Sequence, residues 1–263
     1  TLPNLDIVYT PRFDSDRFVD GSRLSFWNLN RQQRTGEDDI LDVEKPENWI
    51  DDDEIALRLF KNVAGYELAG YFYHGFWKSP AGSDPNTGEY TFPQLNVYGA
   101  SIRGIVAGGI GYLETGWYES TDDPDGDDPL IANSELRFLA GYERELAKNL
   151  TATVQYYLVQ MLDHDEYTDN LPAGIQPDND EWNHTFTLRL TQTLMQQNLT
   201  LSCFARYSIT ENDAYFRPKA HYKVSDDLAV EIGGNLFTGR DEYTFLEQFA
   251  RNNNVYIAVR HSF

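Results

Sequence analysis

The residues best suited to chemistry in this chain are arginines set singly into segments of alternating polarity. Arg58, Arg103, Arg137, Arg189, Arg206, Arg217, Lys219 and Arg260 each fall inside such a segment, and so do Glu67, Glu114, Glu135, Glu143 and Glu231. A guanidinium presents a planar fork of N–H donors that grips a carboxylate or a phosphate through two bonds at once. Arg189, Arg206, Arg217, Lys219 and Arg260 lie on successive segments, so pairing those segments would stack the five cations into a ladder. Two readings stay open. One is an anion-attracting constriction. The other is a wall stiffened by ion pairs, with Glu231 and Glu143 as partners.

A second constellation is acidic. The run Asp122–Asp128 (DDPDGDD) sets hard oxygens around one glycine, which makes Asp123, Asp125 and Asp127 candidate Ca²⁺ ligands. The run lacks the twelve-residue spacing and closing Glu of an EF-hand, so a solvated acidic loop is the competing reading. No other cofactor is expected. Neither G-x-S-x-G, H-E-x-x-H, a P-loop nor a dinucleotide fingerprint occurs. His74, His164, His184, His221 and His261 are scattered, and nothing orients a Ser or Thr beside His261, so no catalytic residue and no enzyme is expected.

Charge and composition narrow the class. The 42 acidic and 21 basic side chains leave a formal net charge of −21, which disfavours nucleic acid as a partner. The acidity collects in Glu37–Asp39, Asp51–Glu54, Asp122–Asp128, Asp163–Glu166 and Asp178–Glu181, outside most of the alternating segments. Aromatics at 14% of residues argue against a disordered chain. No apolar run nears the ~20 residues of a membrane-spanning helix. Barrel strands of ~9–11 residues alternate and keep average hydropathy low, so a mean hydropathy of −0.55 leaves that class open. Cys203 has no partner for an internal disulfide and reads as a small apolar side chain in a strand.

The positioning elements follow from a period of two. It recurs at Leu5–Thr10, Glu54–Val63, Gly65–Trp77, Leu95–Val106, Ile110–Glu119, Ser134–Leu146, Asn149–Met161, Trp182–Leu194, Asn198–Ile209, Ala214–Val224, Leu228–Thr238 and Asn253–Phe263. Helical pieces are expected only inside loops, as at Thr244–Ala250. Short and long connections alternate: short at Asn62–Ala64, Gly108–Gly109, Ala147–Lys148, Gln196–Gln197 and Ser225–Asp227, long at Lys78–Gln94, Ser120–Asn133, Asp163–Glu181 and Gly239–Asn252. Thr210–Asp213 alone breaks the rule. In the last segment Val255, Ile257, Val259 and Phe263 share one face, and Tyr256, Arg260 and Ser262 the other. A lipid-facing Arg or Lys at mid-membrane costs ~2–4 kcal/mol, so the charged face must look inward.

The pattern predicts an all-β fold: an antiparallel transmembrane β-barrel of about twelve strands, with the last strand closing near the first. Residues 1–263 form one such domain, with residues 11–53 a long loop or plug-like segment. Further strands upstream would make it part of a larger barrel, and whether Thr1 is a natural start is open.

The stretches Arg217–Lys223 (RPKAHYK), Val230–Phe237 and Phe245–Phe263 (FLEQFARNNNVYIAVRHSF) resemble porin-like bacterial outer-membrane proteins, some described as alginate-export-like. Asp122–Leu130, Asn133–Glu145 and Thr91–Ser101 are similar too. The resemblance implies a passive pore in the bacterial outer membrane and supplies no catalytic residue. With a basic lumen, the expected traffic is ions and other small solutes, anionic or polyhydroxylated. The alternative is a non-conducting structural barrel that docks a partner protein. Expected partners are outer-membrane lipid, lipopolysaccharide and a small-molecule solute, with a homo-oligomer or a periplasmic or surface partner also open.

Overall fold

A computed structural model of the chain describes residues 2–176 and 178–263. Thr1, on which the question of a natural start turns, and Pro177 lie outside them. In chain order the strands are β1 (Asn4–Thr10), β2 (Phe26–Asn28), β3 (Gln33–Thr35), β4 (Glu54–Val63), β5 (Tyr66–Phe76), β6 (Gly82–Ser83), β7 (Tyr90–Thr91), β8 (Gln94–Val106), β9 (Gly109–Ser120), β10 (Glu135–Ala147), β11 (Leu150–Met161), β12 (Trp182–Leu194), β13 (Leu199–Ser208), β14 (Asp213–Lys223), β15 (Leu228–Thr238) and β16 (Asn254–His261). Among the described residues helix is confined to α1 (His164–Asn170) and two 3-10 turns, Met195–Gln197 and Glu247–Asn252. The second turn sits where a helical piece was expected, a few residues later. Among the described residues no helix is long and apolar enough to cross a membrane.

Twelve strands form one antiparallel sheet in the order β1-β4-β5-β8-β9-β10-β11-β12-β13-β14-β15-β16. Each expected strand is present, with ends displaced by two residues at most. Two tight turns show why the hairpins close. Ala64 and Gly65 have φ of 52° and 86°, and Ala107 and Gly108 have φ of 48° and 77°. Two successive positive φ values match the twist of a two-residue hairpin. The glycine in each pair tolerates that backbone without strain.

Closure of β16 on β1 was expected. Instead the two strands stand at opposite ends of the strand order and, among the described residues, do not pair with each other. Asn4–Tyr9 in β1, and every residue of β16 except Tyr256, are exposed, because each strand has a neighbour on one side only.

The chain packs as two compact units: Thr1–Gly104, Tyr112–Leu139 and Leu158–Asn183 form the first, and Ile105–Gly111, Ala140–Tyr157 and His184–Phe263 the second. In the first unit the hydrophobic core lies among the loops rather than along the strands. Phe13 packs on Phe76 and Phe92 with ring centroids 5.3 and 5.0 Å apart, and Phe18 and Val43 pack around them. Residues 11–53 are therefore a folded segment with its own hairpin, β2–β3. It is tied to the loop after β5 by backbone bonds from Asp16 N to Lys78 O, Glu44 N to Tyr90 O and Tyr90 N to Asp42 O. Gln32 and Gln176 exchange bonds of 2.7 and 2.6 Å, and Trp27 Nε1 donates to Gln176 O at 3.1 Å.

One buried charge anchors this segment. Glu54, 4% exposed, accepts from Lys78 Nζ at 2.6 and 2.7 Å and from the Tyr73 hydroxyl at 2.6 Å. The same ammonium donates to Asp14 O at 2.9 Å and lies 5.1 Å from the Phe13 ring centroid. A carboxylate so deeply buried persists only where its charge is matched and its lone pairs are filled.

Candidate functional site: the polar sheet face

Register sorts the side chains of the second unit onto two faces. Opposed residues lie on the same face, and residues two apart along a strand share it. Thr187 opposes Arg206, which opposes Tyr215, which opposes Phe237. Arg189 opposes Phe204, which opposes Arg217. Ser202, Lys219, Gly233 and Tyr256 form a third row, and Thr200, His221, Glu231 and Ala258 a fourth. Arg260 opposes Ala229, two residues before Glu231. Arg189, Arg206, Arg217, Lys219, Arg260 and Glu231 therefore share one face of β12–β16, as their spacing implied.

The opposite face is apolar. Its rows include Leu188 with Ala205 and Phe216, and Ala220 with Ile232 and Ile257. Among the described residues it is left open: Val255, Ile257 and Val259 are 78%, 71% and 67% exposed, and Ile232 is 48% exposed. In water each such side chain forgoes the ~1.5–3 kcal/mol that burial would give. An apolar surface of this extent marks a partner or a membrane.

The cations of the polar face differ in how far they are engaged. Glu231 is held by Lys219 and His221, each at 3.4 Å, and by the Tyr256 hydroxyl at 3.0 Å. This part of the ladder matches the stiffening reading. Glu143, the other expected partner, accepts instead from Thr153 Oγ1 at 3.0 Å. Arg206 lies 4.5 Å from the Phe245 ring centroid, and its Nε is buried with no hydrogen-bond partner among the described residues. Arg189 lies 5.7 Å from the Phe204 ring. Arg189, Arg217 and Arg260 are exposed, and among the described residues no carboxylate stands within ion-pair distance of them.

In the first unit the same sorting holds. Asp6, Arg58 and Tyr71 form one row, and Glu67 opposes Arg103. Arg58 pairs with Glu67 at 2.8 Å and Asp6 at 3.6 Å, and sits 4.0 Å from the Phe60 ring. Pairs this open to solvent contribute ~0–1 kcal/mol each. Arg103 and Glu114 are exposed. Arg137 is wedged: Glu135 accepts from it at 2.6 Å, and its guanidinium carbon lies 3.9 Å from the Tyr118 ring and 5.5 Å from that of Trp77. It is a packed side chain rather than an open anion ligand. On the other face Tyr98 stacks on Trp117 and meets Phe72 at a tilt, with both centroid spacings 5.4 Å.

The acidic loop folds on itself. Asp123 is buried, and its two carboxylate oxygens accept from the backbone N–H groups of Asp127 and Asp128 at 3.3 and 3.2 Å. Burial pushes its carboxyl above the ordinary range, the two N–H bonds pull it back, and the neighbouring carboxylates add to the rise. Asp125 and Asp127 are exposed. Among the described residues no three Asp, Glu, His or Cys side chains are arranged to hold a metal ion. The clustering of Asp in sequence reflects a turn that caps its own backbone.

Sequence spacing missed the aromatics of the polar face. Phe204, Tyr215 and Phe237 sit on the same rows as the arginines, and Tyr215 stacks on Phe237 at 4.5 Å and 15°. Their parity within each strand carried the signal, since each is an even number of residues from a charged neighbour.

No family model matches the chain, and no curated protein matches it. A solved structure described as "Unveiling the Mechanism Behind the in-meso Crystallization of Membrane Proteins" aligns with 80% of this chain and 77% of that one, at 11% identity and a TM-score of 0.34. A likeness that distant carries no argument.

Proposed function

We propose that this chain is a β-barrel pore of the bacterial outer membrane, passing small anionic or polyhydroxylated solutes along a basic, aromatic-lined wall. The observation that carries the reading is the division of β12–β16 into an exposed apolar face and an opposite face bearing Arg189, Arg217 and Arg260. The first belongs against hydrocarbon. The second belongs in an aqueous lumen, where charges on low-dielectric walls concentrate counter-ions. Unpaired strand edges are not tolerated in lipid, each unsatisfied backbone group costing several kcal/mol. In a membrane β1 and β16 therefore pair, with each other or with further strands.

Lumenal water fits the polar rows. Thr187, Arg189 and Thr191 share one face of β12 with Ser202 on β13, and all four are at least partly open, whereas Thr185 and Ser208 on the same face are buried. These groups offer hydroxyls and guanidinium forks to a passing solute and no nucleophile–base pair. The test is the reversal potential of the purified full chain in planar bilayers under a salt gradient. Anion preference is expected, and it falls in an Arg189→Gln, Arg217→Gln, Arg260→Gln variant. Clear cation preference, or no conductance, sinks the reading.

A further inference from the structure

The loop joining β15 to β16 departs from the pattern of an exposed connection. Thr244 and Leu246 within it are 6% and 4% exposed. Three of its contacts go to residues that the register assigns to the polar face. The Leu246 backbone N–H donates to Asp213 Oδ2 at 2.6 Å, and Asp213 opposes Ser208 on that face. The Phe245 ring sits under the Arg206 guanidinium at 4.5 Å. Phe249 packs on Phe237 at 5.6 Å, extending the Tyr215–Phe237 stack. Glu211 Oε2 accepts from the Phe245 N–H at 2.8 Å.

Asp213 is the centre of this arrangement. It is 1% exposed, and its Oδ1 has no hydrogen-bond partner among the described residues. A carboxylate is not buried half-satisfied without a compensating role, because its desolvation costs several kcal/mol. Gly239 shows how closely the loop crosses the sheet: a Cβ there would lie 2.7 Å from Glu247 Cβ and 2.8 Å from Asp213 Cβ. Only a residue without a side chain fits that crossing.

We propose that residues 239–253 form a strap folded over the polar face of β13–β15, latched by Asp213, that narrows the path for solute past Arg206. The gating part rests on the pore reading; the latch does not. The strap removes Arg206 from the open ladder by engaging its guanidinium. It leaves Arg189 and Arg217 as the cations that a solute meets.

The test has two readouts on the full chain. In detergent micelles, trypsin cleaves at Arg251 slowly in the wild type and faster in Asp213→Ala, because the latched turn is released. In planar bilayers, Asp213→Ala and Gly239→Val both raise single-channel conductance, with the folded state of each verified by its mobility shift on heating. Gly239→Val displaces the strap while keeping the Asp213 carboxylate, so agreement of the two variants guards against a folding defect in one. Equal cleavage at Arg251 in wild type and Asp213→Ala overturns the latch. Faster cleavage with unchanged conductance overturns the gating role. Absence of conductance in all three proteins overturns the pore reading and the gating role together, while the cleavage rates still decide the latch.

Discussion

Placing a cation at Ile257 and at its neighbour Ala258 sets the two faces of β16 against each other. Ile257 is the fourth of eight residues in β16 and opposes Ile232, the fifth of eleven in β15, so the pair sits mid-strand. Its side chain is 71% exposed on the apolar face. If that face meets hydrocarbon, Ile257→Arg puts a guanidinium near the membrane centre at a cost of ~2–4 kcal/mol. That is roughly a 30- to 900-fold fall in the folding equilibrium constant. Ala258 faces the other way, opposite Glu231. Ala258→Arg gains a carboxylate neighbour in an aqueous space, and its effect stays within about 0.5 kcal/mol. Both variants add the same charge to the same strand, one residue apart, so strand propensity nearly cancels in the comparison. Reversible denaturant titration of the protein refolded into liposomes, followed by tryptophan fluorescence, measures the difference. A sheet bathed in water on both faces predicts two small effects. Equal effects, or a larger cost at Ala258, would refute the face assignment and with it the membrane reading.

Other outcomes follow from the same contacts. Lys78→Met leaves the buried Glu54 carboxylate with only the Tyr73 hydroxyl and costs about 2–3 kcal/mol in the first unit, below the ~3–5 of a fully buried pair because Lys78 is 35% exposed; chemical denaturation reads this, and a change under about 0.5 kcal/mol would show the anchor to be incidental. Arg137→Ala lowers stability by about 1–3 kcal/mol, from charge-assisted bonds and ring packing, and leaves ion selectivity unaltered, whereas Arg217→Ala does the reverse. Asp123 has its carboxyl pKa raised by burial, so between the ordinary carboxyl range and the raised value the folded loop binds a proton that the unfolded chain does not. Its loop is therefore most protected at acid pH, and that contribution is lost as pH rises through the folded value. Amide protection factors at Asp127 and Asp128 track this dependence, and Asp123→Asn abolishes it.

The twelve strands of the large sheet, their faces and the long–short order of connections are legible in the sequence, whereas the short hairpins β2–β3 and β6–β7 are not. Side-chain alternation has a period of two whatever the partner strand, so the spacing of Arg189, Arg206, Arg217, Lys219 and Arg260 alone places them on one face. Register converted that parity into rows and put Phe204, Tyr215 and Phe237 among the arginines. Only tertiary structure decided which charges are spent. Glu231 draws Lys219 and His221 together, Arg137 packs against the Tyr118 ring beside Glu135, and Asp123 turns back on its own loop. Those outcomes depend on contacts between residues distant in the chain or on the geometry of one turn, which spacing does not encode. The loops show the difference most clearly. By sequence residues 11–53 and 239–253 both read as loops rich in charged side chains and aromatics. Yet the first is packed around Phe13 and fastened at Glu54, and the second is drawn onto the polar face by Asp213. A loop's place is set by the few side chains that meet it, and only the fold brings those side chains together.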